Sequence, residues 1–143
     1  MPDPTVTDLK KRLLDAGFEV YRTLGNQVVL ADRVRDNLIM DSGVRVEGDA
    51  DRYVVSIVFR AQAADFPGET EDELWARARS AVGPAEQLGF SETSTAAHPI
   101  LDPGDRTRVL DTWYEVVLSG PVPDADLVDL LNSAVSMAKT ADR

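Results

Sequence analysis

The sequence contains no cysteine in its 143 residues. A disulfide framework, a thiolate metal site and a cysteine nucleophile are therefore excluded. Histidine is nearly as scarce, since His98, followed by Pro99, is the only one. A zinc site needs three or four ligands and a general base needs a partner within hydrogen-bond distance. We therefore interpret His98 as a surface or strand-end residue, and we expect no metal site and no catalytic residue.

Several longer motifs are also missing. No apolar run approaches the roughly 18 residues of a membrane helix, and residues 1–5 lack the basic and apolar regions of a signal peptide. The motifs GxGxxG, GxSxG and GKS or GKT, which bind phosphate or carry a nucleophile, do not occur. These absences predict a cytoplasmic protein with no membrane partner and no cofactor.

Positive charge is outweighed by negative charge. The chain has 25 acidic and 15 basic residues, which gives a formal net charge of -10. Binding to a phosphate backbone needs clustered Lys and Arg. We therefore predict that nucleic acid is not a partner. Most of the basic residues are arginines, a bias that we attribute to a GC-rich bacterial genome.

Acidic residues are numerous enough to raise the question of a carboxylate site or a calcium loop. The densest groups are at 47–51 and 102–105. Neither follows the ligand order of an EF-hand, and both lie where turns are predicted. The groups at 69–73 and 124–126 fall on the first turns of predicted helices, where the helix dipole favours negative charge. We interpret all four groups as structural.

The residues that are present have the composition of a globular domain. Hydrophobic residues make up 43% and charged residues 28%, too apolar for a disordered chain. A chain of 143 residues is close to the commonest domain length. We predict one domain over residues 1–143, with its ordered part at about 5–138.

Three helices are predicted from apolar residues spaced three and four apart. The first covers residues 5–16. The second begins at Thr70, where Glu73 completes a capping box, and is broken or kinked at Gly83-Pro84. The third covers residues 124–138.

Strands are predicted where the apolar period changes to two. They cover residues 18–24, 28–30, 37–46, 53–61, 90–100 and 108–119. Gly25-Asn26 predicts a hairpin turn, Pro121 and Pro123 are expected to end the last strand, and 37–46 is left as one bent strand or two short ones. The predicted fold class is α+β, an antiparallel sheet of five to six strands packed with three helices, in the order α-β-β-β(-β)-α-β-β-α.

Two of the predicted strands are apolar on both sides, whereas a sheet with one solvated face alternates apolar and polar residues. In the first, Tyr53, Val55, Ile57, Phe59 and Ala61 form the face that we interpret as core. Val54 and Val58 lie on its other face. In the second strand, Leu110, Tyr114, Val116 and Leu118 alternate with Val109, Trp113 and Val117. The pattern leaves open which of these two sets points inward.

If the two strands share a sheet, its outer side carries an apolar patch. We predict that Val54, Val58, Trp113 and Val117 bind a protein partner or a second copy of the chain, because contiguous apolar patches often mark interaction sites. The alternatives are a helix that covers this side too, or apolar residues that are scattered singly.

The element order, the acidity and an amphipathic C-terminal helix resemble the type III secretion chaperone-like fold, including the bacterial YbjN-type proteins, over about residues 5–138. In that family a helix precedes a three-stranded meander, a helix, two strands and a final helix. An extra strand between Asn37 and Val46 departs from this pattern. The resemblance implies a non-enzymatic protein that binds another polypeptide, often as a homodimer, through apolar grooves and strand edges.

Two other function classes stay open. An acidic surface would complement a basic toxin or nuclease, as expected of an immunity or neutralising protein. A cavity between sheet and helices would instead favour a small-ligand carrier or an enzyme. Our leading prediction is a protein-binding module without catalytic activity.

Overall fold

The computed structural model describes residues 4–49, 52–80 and 82–141. The strands are β1 (Val20–Leu24), β2 (Gln27–Arg35), β3 (Leu38–Asp49), β4 (Arg52–Gln62), β5 (Ser91–Asp102) and β6 (Asp105–Pro123). The helices are α1 (Pro4–Asp15), α2 (Glu71–Ala78), α3 (Val82–Gln87) and α4 (Leu127–Ala141). Short 3-10 turns cover Ala63–Asp65 and Asp124–Asp126. The six strands form one antiparallel sheet in the spatial order β1-β2-β3-β4-β6-β5.

The predicted α+β fold class is confirmed, and residues 38–46 belong to a single bent strand, with Asn37 in the preceding turn. β3 pairs with β2 on both sides of a bulge, where Val29 lies opposite Arg45 and Ala31 lies opposite Asp41. β3 therefore carries two more residues than β2 over this stretch. The bend includes Gly43, whose φ of 84° is a left-handed conformation that glycine adopts readily.

The second predicted helix is divided into two. The Thr70 hydroxyl accepts a hydrogen bond from the Glu73 backbone N–H at 3.2 Å, which confirms the capping box. The break falls between α2 and α3, before Gly83-Pro84 and not at it. Pro84 lies in the first turn of α3, where the backbone N–H groups have no partner within the helix. Ala81, predicted to join the buried stripe of this helix, lies outside the described residues.

The prediction that Pro121 and Pro123 end the last strand is wrong. β6 continues to Pro123, and Pro121 pairs with Val54 of β4. β5 begins at Ser91 opposite Ser119, so β6 has a strand on one side only beyond that point. Proline is tolerated on such an open edge because its missing N–H is not needed there.

The predicted turn at residues 48–51 is described only in part. Ala50 and Asp51 lie outside the described residues. β3 and β4 pair as far as Asp49 and Arg52 on either side of them.

The helices pack on one face of the sheet, which we call the inner face. On β4 it carries Val55, Ile57, Phe59 and Ala61, all buried as predicted. On β6 the inner set is Tyr114, Val116 and Leu118, which settles the orientation of that strand. The helices bury residues in the same cluster, namely Leu9, Leu13, Ala78, Val82, Ala85, Leu127, Leu131, Ala134 and Ala138. Trp75 of α2 also meets the Tyr114 ring edge-on, with 5.0 Å between centroids. No helix in the described part of the chain is long and apolar enough to cross a membrane.

Candidate functional site

The four residues predicted to bind a partner point to the opposite face of the sheet, which we call the outer face. Val54 and Val58 are on β4, and Trp113 and Val117 are on β6, the next strand in the sheet. Val58 is the direct cross-strand neighbour of Val117. All four alternate along their strands with inner-face residues, so their side chains point to the other side.

The outer face carries no helix in the described part of the chain. Each of the four helices buries its apolar side chains in the inner-face cluster, which contains none of the four predicted residues. The alternative of a helix over this side is therefore ruled out for the residues that the structure describes.

The four residues differ in how far they are covered. Val58 keeps only 8% of its surface exposed, whereas Val54, Trp113 and Val117 are half-buried. The Arg60 guanidinium contributes to this cover, because it lies over the Trp113 ring at 5.3 Å from the centroid. The outer face is thus a mixed surface, in which apolar groups lie beneath and between longer polar side chains.

Glu115 connects the polar groups of this face. Its carboxylate accepts a hydrogen bond from Arg60 Nε at 3.3 Å and lies 3.2 Å from His98 Nε2. His98 is exposed on β5, opposite Trp113, in agreement with its interpretation as a strand residue at the surface. The arrangement holds Arg60 against the indole.

Asp111 fixes the end of β4 against β6. Its carboxylate accepts hydrogen bonds from Gln62 Nε2 at 2.9 Å, from the Ala64 N–H at 2.9 Å and from the Thr112 N–H at 2.8 Å. Burial acts to raise the pKa of Asp111, but these donors outweigh it and hold the pKa below its ordinary value. A charged Asp111 therefore anchors the turn at Ala63–Asp65 to β6.

The most exposed apolar side chains lie at one end of the sheet and were not predicted as a site. β4 ends at Gln62, opposite Trp113, while β6 extends eight residues further, to Asp105, with only β5 as its strand neighbour. We call residues 99–112 the β5–β6 arm. Its large apolar residues are Ile100, Leu101, Val109 and Leu110, which are 38%, 41%, 53% and 50% exposed.

A second arm projects from the same end of the sheet. The pairing of β2 with β1 ends at Leu30, and that of β3 with β4 ends at Val44. Residues 32–40, which we call the β2–β3 arm, therefore have only each other as strand neighbours. This arm exposes Val34, Leu38 and Met40. Together the two arms carry seven of the eleven large apolar side chains that are exposed among the described residues.

The sequence held part of the information needed to find the arms. The turn at Asp102-Pro103-Gly104-Asp105 and the length of the last strand were both apparent. The register between strands is not apparent from the sequence, and it decides how far the β5–β6 hairpin extends beyond β4. Val109 and Leu110 were therefore assigned to faces of a strand and not to the end of a hairpin.

Two surface depressions outside the β5–β6 arm are lined by described residues. A groove of about 510 Å³ between α3 and α4 is open to solvent and is lined by Pro84, Gln87, Leu88, Asn132, Ser133, Ser136 and Met137. A pocket of about 40 Å³ lies where β3 leaves β4, beside Gly43 and Val58. The described residues contain no group of three or more His, Asp or Glu that could hold a metal ion.

Comparison with models of protein families, with curated proteins and with solved structures gave no match. The type III secretion chaperone-like resemblance therefore stays a prediction. The function has to be argued from the surface of the sheet.

Proposed function

We propose that this protein is a non-enzymatic polypeptide-binding module, which binds a protein partner in a chaperone-like manner on the outer face of its sheet and along the adjoining edge. The observation that carries the proposal is the direct pairing of Val58 with Val117 on the outer face, where no helix packs among the described residues. Val54 lies four residues from Val58 along β4, and Trp113 lies four residues from Val117 along β6. A helix-free sheet face with apolar groups at its centre is a surface that a partner can cover.

β5 supplies an open strand edge beside this face. It is the last strand of the sheet and pairs with β6 only. Ten of its twelve residues are exposed. The unpaired N–H and C=O groups of such an edge can hydrogen-bond an extended peptide, while neighbouring side chains select its sequence. Pro99 cannot donate a main-chain hydrogen bond, so residues 91–98 are the stretch best suited to pairing.

Trp113 is the anchor residue of the proposed surface. Tryptophan and arginine are enriched among the residues that contribute most to binding at interfaces. Trp113 lies directly opposite His98 of the edge strand and under Arg60. A peptide added along β5 would therefore place its side chains within reach of the indole and of both polar groups.

The charge of the chain favours protein over nucleic acid as the partner. A formal net charge of -10 repels a phosphate backbone. The same charge supports association with a basic polypeptide, because complementary charge speeds encounter and suppresses wrong partners.

The test is affinity capture from native lysate with matched variants. Val54→Ser combined with Val117→Ser, and separately Trp113→Ala, should reduce the captured polypeptide by about tenfold or more. Leu88→Ser is the control, because Leu88 is 42% exposed on the helix side of the molecule. Circular dichroism shows whether each variant is folded. In the complex, amide hydrogen exchange should slow at residues 91–98.

Two results would count against the proposal. One is a wild-type protein that is strictly monomeric by light scattering and retains no polypeptide. The other is a folded Val54→Ser and Val117→Ser variant that captures the same polypeptide as the wild type. Capture of a basic nuclease would favour the neutralising class of function instead.

A further inference from the structure

The β2–β3 arm and the β5–β6 arm expose more apolar surface than any other part of the described chain. Their seven large apolar side chains are each between 38% and 54% exposed. Single exposed apolar residues are normal on a protein surface. Seven of them on two projections at one end of a sheet are a concentration of the kind that marks an interaction site.

Each arm is a two-stranded ribbon without a third strand. Residues 32–40 pair only with each other. Between Asp105 and Thr112, β6 pairs only with β5. An isolated pair of strands is marginally stable in water, and its open edges carry unpaired N–H and C=O groups. Because the arms are part of the fold of every copy, they need a partner that is always present, and a second copy of the chain meets that need.

The arms carry almost none of the negative charge of the chain. The β2–β3 arm has two acidic and two basic residues, and the β5–β6 arm has three acidic and two basic residues. Their summed charge is therefore -1, whereas the whole chain carries -10. Like net charges oppose the association of two copies. The arms are apolar surfaces on which this opposition is small.

The tips of the arms carry exposed charges of both signs. Arg35 and Asp36 are adjacent on the β2–β3 arm, and Asp105 and Arg106 are adjacent on the β5–β6 arm. None of these four has an ion pair within the described part of the chain. In a two-fold symmetric contact each interaction occurs twice, so an Arg of one copy facing an Asp of the other is matched by the reciprocal pair. The charges of the arms are therefore self-complementary.

The arms are also large enough for a stable contact. The β2–β3 arm has nine residues and the β5–β6 arm has fourteen, which gives 23 in each copy. A stable protein–protein interface takes about 20–30 residues from each partner. A contact that uses both arms reaches that size.

We propose that the two arms form a homodimer interface, in which the arms of one copy pack against the arms of a second copy. Their apolar side chains form the centre of the contact and the charges at their tips form its rim. Val54, Val58 and Val117 of the outer face take no part in it. The inference therefore does not depend on the proposed function, and the outer face stays open in the dimer.

The test is the oligomeric state of the wild type and of matched variants, measured by light scattering over a range of protein concentrations. The wild type should be a dimer that dissociates on dilution, and added salt should tighten it by screening the repulsion between the two acidic copies. Val109→Ser combined with Leu110→Ser, and separately Val34→Ser combined with Met40→Ser, should raise the dissociation constant by about tenfold or more. Circular dichroism shows whether each variant is folded.

Two controls locate the contact. Leu88→Ser changes a residue that is 42% exposed on the helix side, and it should dimerise as the wild type does. Val54→Ser combined with Val117→Ser, on the outer face, should do the same.

A single introduced thiol tests the same surface without removing both apolar residues. Because the chain contains no cysteine, Leu110→Cys has only one thiol. Its alkylation by iodoacetamide should slow several-fold as the protein concentration rises through the dissociation constant. The thiol of Leu88→Cys should react at the same rate at every concentration.

Three results would overturn the inference. The first is a wild type that stays monomeric at about 100 µM. The second is a pair of folded arm variants that dimerise like the wild type. The third is a dimer that is lost in the Val54→Ser and Val117→Ser variant and kept in the arm variants, since the outer face would then be the interface. A protein that dimerises through its arms and captures no polypeptide supports this inference and counts against the proposed function alone.

Discussion

Val116 and Val117 are adjacent on β6, and they show how differently the two faces of the sheet are built. Val116 points inward and has no exposed surface. Val117 points outward and is half-buried, although no helix lies over it in the described part of the chain. The four helices pack on the inner face, whereas no helix of the described residues packs on the outer face. A substitution on the outer face should therefore disturb the fold less than one on the inner face.

The largest expected effect is on the free energy of unfolding, and it compares Val116 with Val117 directly. Val116→Ala should lower the free energy of unfolding by about 2–3 kcal/mol, since each buried CH₂ contributes about 0.8 kcal/mol and a cavity remains. Val117→Ala should cost less than about 1 kcal/mol. Urea unfolding followed by circular dichroism measures both. If the two variants lose the same free energy of unfolding, Val117 must be buried in solution as Val116 is. If the loss in Val117→Ala depends on protein concentration, the group that buries Val117 is a second copy of the chain.

The next effect concerns the bend where β3 leaves β4. Gly43 has a positive φ, and a Cβ there would lie 2.9 Å from the Val58 carbonyl oxygen. Gly43→Ala should therefore destabilise the protein by about 2 kcal/mol. Gly104→Ala, in the β5–β6 turn, is the control, because only the Asp102 carboxylate comes within 3.5 Å of its Cβ. If the two variants had the same stability, the bend would not depend on glycine.

Local patterns predicted the elements of this fold well. Alternation along β4 identified Val55, Ile57 and Phe59 as core, because their burial needs only the period of a strand. The spacing of Thr70 and Glu73 was enough to place the start of α2, because a capping box is a contact within one turn.

Pairing between strands could not be predicted in the same way. Both sides of β6 are apolar, so only its register with β4 shows that Val116 points inward and Trp113 outward. The sequence alone predicts a strand end at Pro121, because the open edge that tolerates proline there depends on where β5 begins. The outer-face residues can be identified from the alternation of residues along a single strand. The arms cannot, because their extent depends on the register between strands.

A smaller effect is expected for two of the cation–π contacts, which lie on opposite sides of the sheet. Arg60 covers Trp113 at 5.3 Å on the outer face, and Arg79 lies 5.4 Å from the Trp75 ring on the helix side. Double-mutant cycles with Arg→Gln and Trp→Leu should give coupling energies of about 0.5–1 kcal/mol for each pair. On binding of a polypeptide only the outer-face coupling should change. A change in both, or in neither, would contradict the assignment of binding to the outer face.

The least effect on stability is expected from Asp111→Asn, which tests how the β5–β6 arm is held. Because hydrogen bonds lower the pKa of Asp111 in the folded state, its charge stabilises the protein above the unfolded pKa of about 3.9. That contribution is lost as the pH falls through the folded pKa. The melting temperature of the variant should therefore lie below that of the wild type near neutral pH, and the two should converge in acid. A difference that persists at the lowest pH would show that the charge is not responsible. Near neutral pH, hydrogen exchange should speed up in the variant at Ala64, whose N–H the carboxylate accepts, and stay unchanged at Val116. This pattern would show that the arm can loosen while the inner face stays packed.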